Sequence, residues 1–265
     1  MDNRSIGIFD SGIGGLTITK ELNRVLPNES ILYFGDTAHL PYGDKSPETI
    51  VAYSLAITDF LLENDCKAIL IACNSASSTA FDAIVSKVPA SMPVFNVIDP
   101  VVDYIATRFH AEKVGVIGTR ATIGSHVYAQ RTREANPSII LVEKSTALLA
   151  AMIEEGFHDD EISQAVIQAY LEDNRFEGIK AIVPACTHYP LIAKEIFAYF
   201  NKQVEVVDAP GIIARKVKDV LTENDLLANQ AKGEMNFMVS DLTPSFQKSA
   251  AIFFGDNLKL KEQRL

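Results

Sequence analysis

The stretch 67-KAILIACNSAS-77 decides the fold, because it carries a near-continuous apolar run directly into small polar residues. Such a run is typical of a strand that is buried on both faces of a parallel sheet. The stretch 181-AIVPACTHYPL-191 has the same pattern about 110 residues later, and in both the apolar run ends in Ala-Cys followed by a small polar residue. The similarity indicates that the chain contains a duplicated half.

A second pair of segments supports the duplication, since 6-IGIFDS-11 resembles 114-VGVIGT-119 at a similar separation. Around these segments, short β-branched runs alternate with longer amphipathic stretches. Strands are predicted over residues 5–9, 30–35, 67–72, 94–97, 113–117, 138–142, 179–183, 204–207 and 235–239. Helices are predicted over residues 14–25, 47–63, 75–88, 122–135, 147–156, 160–174, 191–201, 210–221 and 245–254. The repeated β-α order predicts an α/β fold with mostly parallel sheets flanked by helices.

The composition excludes several classes of protein. The chain has 265 residues, of which 48% are apolar and 22% charged, which is ordinary for a globular protein. Its net charge of −10 disfavours binding to nucleic acid or to anionic lipid. The N-terminus lacks the apolar region of a signal peptide, and no apolar run approaches the ~20 residues of a membrane span. With three sparse cysteines and no CxxC pair, we expect free thiols, a reducing cytoplasm and no membrane association.

Polar and titratable residues follow the predicted strands, at the carboxyl ends where open α/β sheets bind ligands. Asp, Ser, Asn and Thr also cap helices, so several of these residues have a purely structural explanation. Cysteine has no special capping role, and two cysteines at equivalent strand ends indicate a chemical site. Cys66 lies before its strand and is expected to be a packing residue. The residues that follow strands are Asp10, Ser11, Cys73, Asn74, Ser75, Cys186, Thr187 and His188.

The chemistry of the two cysteines is open at this point. A thiol between a strand and a helix can be activated as a thiolate. Cys73, Cys186, His188 and Asp10 contain the ligand types of a zinc site, but no close ligand spacing supports a metal. Cys186 and His188 could also form the nucleophile pair of a thiol hydrolase, which leaves Cys73 without a role.

Two turns could present backbone N–H groups to an anion. The first, 10-DSGIGG-15, is neither a dinucleotide fingerprint nor a phosphate-binding loop of the Walker type. The second, 40-LPYGDKSPE-48, contains Tyr42 and Gly43 and leads into a helix. A tight structural turn explains the second segment equally well, and the first segment taken alone does not establish a ligand site.

Five segments, taken in order, resemble the glutamate racemases of the cofactor-independent aspartate/glutamate racemase family. They are DSGIGG at 10–15, GDTAHLPYG at 35–43, ACNSAS at 72–77, GTRATIGS at 118–125 and PACTHYPL at 184–191. The resemblance implies two similar α/β domains, related by a pseudo-twofold axis with the active site between them. We expect residues 1–97 plus 209–265 to form the first domain and residues 98–208 the second.

The resemblance also implies the residues of the site. Cys73 and Cys186 fall on the two catalytic cysteines, and Asp10, His188 and Glu154 fall on assisting catalytic positions; Glu155 adjoins Glu154. The family's usual Cys-Asn-Thr is Cys-Asn-Ser here, which keeps the hydroxyl, and residues 145–147 replace a Cys-Pro pair that the family tends to have. The implied substrate-contacting residues are Asp10, Ser11, Tyr42, Gly43, Asn74, Ser75, Thr187 and His188.

The implied activity is the interconversion of L- and D-glutamate for peptidoglycan, with no cofactor and no metal. Two acid/base groups must then flank the α-carbon, and the resemblance assigns Cys73 to D-glutamate and Cys186 to L-glutamate. The expected partners are the glutamate enantiomers, a second copy of the chain in a homodimer, and a cell-wall precursor as activator. Competing interpretations are an aspartate racemase, a one-cysteine decarboxylase, a thiol amidohydrolase and a non-catalytic amino-acid sensor.

Overall fold

A computed structural model of the chain describes residues 1–255 and 258–265. Across these ranges, no helix combines the length with the apolar character that a bilayer crossing requires. The strands are β1 (Ile6–Asp10), β2 (Ile31–Gly35), β3 (Ala68–Ile71), β4 (Val94–Asn96), β5 (Lys113–Gly118), β6 (Ile140–Ser145), β7 (Ala181–Ala185), β8 (Glu205–Val206), β9 (Met235–Val239) and β10 (Leu260–Glu262). The α-helices are α1 (Leu16–Val25), α2 (Pro47–Glu63), α3 (Asn74–Lys87), α4 (Asp99–Arg108), α5 (Arg120–Gly124), α6 (Val127–Ala135), α7 (Leu148–Glu154), α8 (Glu161–Leu171), α9 (Ala193–Tyr199), α10 (Ala209–Glu223) and α11 (Pro244–Phe254). Short 3₁₀ turns lie at Tyr42–Asp44, Asn174–Phe176 and Tyr189–Ile192.

The strands form two sheets, and the paired strands within them run parallel. The first sheet has the order β10-β9-β2-β1-β3-β4 and the second has the order β6-β5-β7-β8. Apart from β9 and β10, the two orders are the same, with β1 equivalent to β5 and β3 equivalent to β7. The predicted α/β fold with two parallel sheets is confirmed, and the duplicated half is visible in the topology.

The strands divide between the halves in the way that the sequence suggests. Those of the first sheet lie within residues 6–96 and 235–262, and those of the second within 113–206. One apolar core runs through both halves and includes Leu70 of β3 and Ile182 of β7, which are both fully buried. The domain boundaries at 97/98 and 208/209 agree with this distribution and stay a prediction.

Several element predictions need correction. Residues 122–135, predicted as one helix, form α5 and α6 with a break at His126, whose φ of 55° is left-handed. The helix predicted over 191–201 begins as a 3₁₀ turn, and only α9 is α-helical. Helix α4 was not predicted, although its Pro100 occupies the first turn, where a proline is well tolerated. Strand β10 was not predicted either, because it is short and polar and depends on pairing with β9.

A buried ion pair fastens the N-terminal segment to the amino end of the first sheet. The Lys67 side chain is fully buried, and its Nζ lies 2.5 Å from Glu29 Oε2. Lys67 also donates to the backbone carbonyls of Asp2 at 2.5 Å and Leu226 at 2.7 Å. Glu29 in turn accepts a hydrogen bond from the Ala228 N–H at 2.7 Å. The pair therefore joins the N-terminus, the segment before β2 and the link between α10 and β9.

We expect the Lys67→Met variant to lower the free energy of unfolding by about 3–5 kcal/mol, because it leaves Glu29 charged, buried and unpaired. The control is Lys87→Met, which removes a pair with Asp59 at 2.8 Å that is partly exposed. Its expected cost is about 0–1 kcal/mol. Urea unfolding of both variants measures the difference, and equal losses would contradict a structural role for the buried pair.

Candidate active site

The two cysteines occupy equivalent strand ends, one in each sheet. Cys73 follows β3 and caps α3, where its Sγ accepts a hydrogen bond from the Ala76 N–H at 3.5 Å. Cys186 follows β7 and precedes the 3₁₀ turn at Tyr189–Ile192. Both cysteines are buried, and neither forms a disulfide. The parallel topology thus brings the two thiols to the edges at which ligands bind in α/β sheets.

A cavity of about 220 Å³ is lined by residues from both halves of the molecule. Both Cys73 and Cys186 line it, so the two sulfur-bearing residues share one small space. A volume of this size suits a small metabolite rather than a larger cofactor. The other lining residues are Ser11, Gly12, Leu40, Pro41, Tyr42, Gly43, Asp44, Asn74, Ser75, Thr119, Arg120, Ala147, Ala150, Ala151, Glu154, Thr187 and His188.

Cys186 lies at the end of a chain of titratable side chains. His188 Nδ1 is 3.6 Å from Cys186 Sγ, and His188 Nε2 is 2.7 Å from Glu154 Oε1. Burial alone would lower the pKa of His188, but its hydrogen bonds to Cys186 and Glu154 raise this pKa well above the usual value. His188 therefore holds a proton more readily than an ordinary histidine, and its imidazole lies between the Cys186 sulfur and the Glu154 carboxyl group.

Cys73 has the opposite electrostatic environment. Burial raises the pKa of the Cys73 thiol to about 12, and the charge of Asp10 adds to the increase. Hydrogen bonds from Ala76 and Ser11 oppose this shift without cancelling it. Burial also raises the pKa of Asp10, although the charge of His188 acts in the other direction. Cys73 is therefore a thiol at neutral pH, beside a carboxyl group that protonates more readily than usual.

Direct contacts hold the two halves together at the cavity. Ser75 Oγ and Thr119 Oγ1 lie 2.9 Å apart, and the Tyr128 hydroxyl donates to Asn74 Oδ1 at 2.9 Å. On the other side, Thr17 donates to the backbone carbonyl of Thr187 at 2.9 Å. Each contact joins a residue of the first half to one of the second, so the two halves are fastened to each other around the cavity that both cysteines line.

The residues that follow Cys186 pack closely against the turn at 10–15, and this packing requires a glycine at position 14. A Cβ at Gly14 would collide with the side chains of Thr187 and His188. Gly14 belongs to the 10–15 segment that the sequence singled out, and its role here is to let the first half approach the residues that follow Cys186.

Tyr42 is held from outside the cavity by a buried carboxylate. Its hydroxyl donates to Asp36 Oδ2 at 2.6 Å, and Asp36 also accepts from Ser240 at 2.8 Å and contacts His39 at 2.9 Å. Burial raises the pKa of Tyr42, and the adjacent Asp36 carboxylate raises it further, so the phenol stays protonated. Ser240 follows β9, which means that the C-terminal segment helps to fix the loop that carries Tyr42.

The structure brings the sequence-predicted site residues together. All of them line the cavity except Asp10, which lies at the end of β1 and accepts from Thr187 at 3.4 Å. Glu154 contacts His188, whereas the adjacent Glu155 is exposed at the end of α7. Cys66 is buried between β1 and α2, where it packs against Gly7.

Sequence reasoning missed several lining residues. Thr119 and Arg120 follow β5, and Thr119 is the counterpart of Ser11 in the internal repeat, so the repeat contained the signal that would have found it. Asp44 lies in the turn at 40–48 that the sequence indicates, although only Tyr42 and Gly43 are predicted from it as site residues. The three alanines Ala147, Ala150 and Ala151 had no comparable signal, because only the folded chain brings them to the cavity.

The arrangement places acid/base groups on one small cavity. One thiol lies 3.6 Å from an imidazole and the other stays protonated because of its burial, so both could take part in proton transfer there. In the described residues, no group of three or more His, Cys, Asp and Glu side chains is arranged to hold a metal ion.

Comparison with known proteins identifies relatives over nearly the whole chain. A family model described as Asp/Glu/Hydantoin racemase matches residues 6–217. A glutamate racemase from Geobacter metallireducens is 40% identical over 256 residues, which cover 96% of this chain and 94% of the relative. The crystal structure of glutamate racemase from Francisella tularensis in complex with D-glutamate has a TM-score of 0.93 and 38% identity, and the match covers 99% of this chain and 98% of that one. The structure of glutamate racemase from Thermus thermophilus matches with a TM-score of 0.90 and 34% identity, over 100% of this chain and 99% of that one.

Proposed function

Because the chain belongs to the Asp/Glu/Hydantoin racemase family, we propose that it interconverts L- and D-glutamate by proton transfer at Cys73 and Cys186. The observation that carries the mechanism is the presence of two thiols, one from each sheet, on one small cavity. Racemisation removes the α-proton from one face of the substrate and returns a proton to the other, so it requires two acid/base groups. The relatives, including the one with bound D-glutamate, support glutamate as the substrate.

The surroundings of the two cysteines differ. Burial keeps Cys73 as a thiol, and Cys186 is the cysteine that lies beside the His188 imidazole. We therefore assign Cys73 as the acid and Cys186 as the base for L-glutamate. In this assignment Cys186 faces the L enantiomer, as the family resemblance implies.

The reaction from L-glutamate then proceeds in two proton transfers. The Cys186 thiolate takes the α-proton, and the electron pair remains on the α-carbon. The Cys73 thiol delivers its proton to the opposite face, which gives D-glutamate, a Cys186 thiol and a Cys73 thiolate. The reverse direction starts from this second form. Asp10 and His188 are the groups through which the two forms exchange protons with solvent.

Acid/base catalysis supplies only part of the acceleration. Positioned acids and bases contribute about 10²–10⁴-fold, and enzymes typically need about 10⁶-fold or more. We assign the remainder to preorganised dipoles around the substrate, including the backbone N–H groups at Ser11, Gly43, Ser75 and Thr187. These groups stabilise the charge that develops when the α-proton leaves.

The cellular role follows from the chemistry as a prediction. The product D-glutamate would be supplied to peptidoglycan synthesis, as the family resemblance implies. The homodimer, the activation by a cell-wall precursor and the cytoplasmic location likewise stay predictions. A thiol amidohydrolase that forms a thioester at Cys186 would tolerate the loss of Cys73, and a decarboxylase would need only one of the two cysteines, whereas the proposed mechanism needs both.

Incubation of L-glutamate with the enzyme in deuterium oxide tests the proposed function. The D-glutamate that forms should carry deuterium at the α-carbon, because the Cys73 thiol equilibrates with solvent before it donates. Proton NMR and chiral chromatography measure the two quantities together. D-Glutamate that retains the original α-proton would contradict the two-base mechanism, and the absence of D-glutamate would contradict the activity itself.

A further inference from the structure

An ion pair spans the mouth of the cavity and joins the two halves. Arg120 Nη1 lies 2.7 Å from Asp44 Oδ1, and both residues line the cavity. Arg120 is the first residue of α5 in the second half, and Asp44 ends the 3₁₀ turn that contains Tyr42 in the first half. The two side chains are 67% and 53% exposed, so the pair lies at the entrance rather than in the interior.

The charges around the cavity make Arg120 distinctive. Among the described lining residues it is the sole lysine or arginine, and the carboxylates there belong to Asp44 and Glu154. The other basic group, His188, is buried and hydrogen-bonded to Glu154 and Cys186. Arg120 is thus the cation that a molecule meets on entering from solvent.

The Arg120–Asp44 pair can exchange partners easily. Ion pairs between exposed side chains contribute little to stability, because water and salt screen both charges. Other contacts between the two halves lie deeper and are shielded from solvent, among them the one between Ser75 and Thr119. A Cβ at Gly43 would lie 2.8 Å from the Thr119 Cβ, so the turn that carries Asp44 packs closely on the second half beneath the ion pair. If Arg120 exchanges Asp44 for another partner, the deeper contacts between the two halves therefore remain.

The substrate has the chemistry that would compete for Arg120. Glutamate carries two carboxylates and one ammonium group, so it approaches as a net anion. A protein with a net charge of −10 repels such a molecule at long range. A guanidinium presents a planar fork of N–H donors that matches a carboxylate, and Arg120 already donates a hydrogen bond to the carboxylate of Asp44.

We propose that Arg120 is a substrate-capture residue, whose guanidinium exchanges the Asp44 carboxylate for a carboxylate of incoming glutamate. Asp44 competes with the substrate carboxylate for Arg120, and its ion pair keeps the guanidinium at the cavity entrance before glutamate binds. The proposal rests on the proposed function, since it concerns the entry of the same substrate. It assigns Arg120 a role in binding and none in proton transfer.

Steady-state kinetics of Arg120→Gln, Arg120→Lys and Asp44→Asn test the proposal. Arg120→Gln should raise the KM for both glutamate enantiomers about 5- to 10-fold and leave kcat within about twofold, because it removes one charge attraction in a solvated site. Arg120→Lys should restore most of the affinity. Asp44→Asn should lower KM about two- to threefold, because it removes the competitor.

The salt dependence of KM separates capture from a structural effect. The KM of the unmodified enzyme should increase with sodium chloride, and this increase should be weaker in Arg120→Gln. The matched control is Arg24→Gln, which removes an exposed arginine paired with Glu21 at 2.7 Å, outside the cavity. It should leave KM and its salt dependence unchanged.

The outcomes distinguish the two levels of the proposal. If the unmodified enzyme does not racemise glutamate, the proposed function fails. If it does, and Arg120→Gln keeps the original KM and salt dependence, capture by Arg120 is overturned. If Asp44→Asn raises KM as strongly as Arg120→Gln does, the intact ion pair is needed to hold the two halves together. Capture of the substrate by Arg120 is then also overturned.

Discussion

Replacing Cys73 with alanine should lower kcat/KM for racemisation by about 10²–10⁴-fold in both directions, because the site loses the acid on one face of the substrate. Replacing Cys186 with alanine should have an effect of the same size. Enantiomers have equal free energies, so kcat/KM must stay equal for L- and D-glutamate in every variant. A chiral assay started from each enantiomer measures both values and checks this equality.

The control for these variants is Cys66→Ala. Cys66 is buried outside the cavity, and burial raises the pKa of its thiol to about 12, as it does for Cys73. Its replacement should reduce stability through lost packing and leave racemisation close to the original rate. Full activity in either Cys73→Ala or Cys186→Ala would contradict the two-cysteine mechanism.

The second large effect is expected at His188. His188→Asn should lower kcat/KM by about 10²-fold, because it removes the imidazole beside Cys186 and interrupts the contact with Glu154. The pKa of His188 is raised in the folded protein, so its imidazole keeps its charge to a higher pH than an ordinary histidine does. Steady-state kinetics with L-glutamate measures the loss, and an unchanged kcat/KM would contradict a role of His188 in the reaction.

Alkylation by iodoacetamide provides a readout that does not depend on turnover. The reagent reacts with thiolates, and burial raises the pKa of the Cys73 thiol to about 12. At neutral pH, Cys73 should therefore be modified more slowly than Cys186, which lies beside His188. His188→Asn should slow the modification of Cys186, whereas the control His126→Asn should not, because His126 is exposed and outside the cavity. Peptide mass spectrometry measures each rate, and faster alkylation of Cys73 would contradict its assignment as the acid.

The sequence predicts the site well because strand ends have a simple physical signature. The apolar runs before Cys73 and Cys186 are recognisable as buried strands, and parallel strands place the residues that follow them at one edge. The equivalence of these two positions is visible from the repeat alone, before any tertiary contact is known. The same reasoning applied to β5 would have added Thr119.

Other features depend on contacts that no local pattern contains. Whether Glu154 or Glu155 reaches His188 is decided by how α7 packs, since adjacent helix positions point in different directions. The left-handed His126 divides a segment whose hydrophobic periodicity is continuous, so periodicity alone predicts one helix. The Arg120–Asp44 pair joins segments that are 76 positions apart and meets only when the two halves close on the cavity.

The most direct test of the central claim measures α-proton exchange in the single-cysteine variants, in deuterium oxide, with each glutamate enantiomer supplied separately. Cys73→Ala retains Cys186 and should exchange the α-proton of L-glutamate much faster than it forms the D enantiomer. Cys186→Ala should do the same with D-glutamate alone. Proton NMR follows the loss of the α-proton signal. If one variant exchanges the α-proton of both enantiomers, a single sulfur reaches both faces of the α-carbon. This result would contradict the assignment of Cys186 to L-glutamate and Cys73 to D-glutamate.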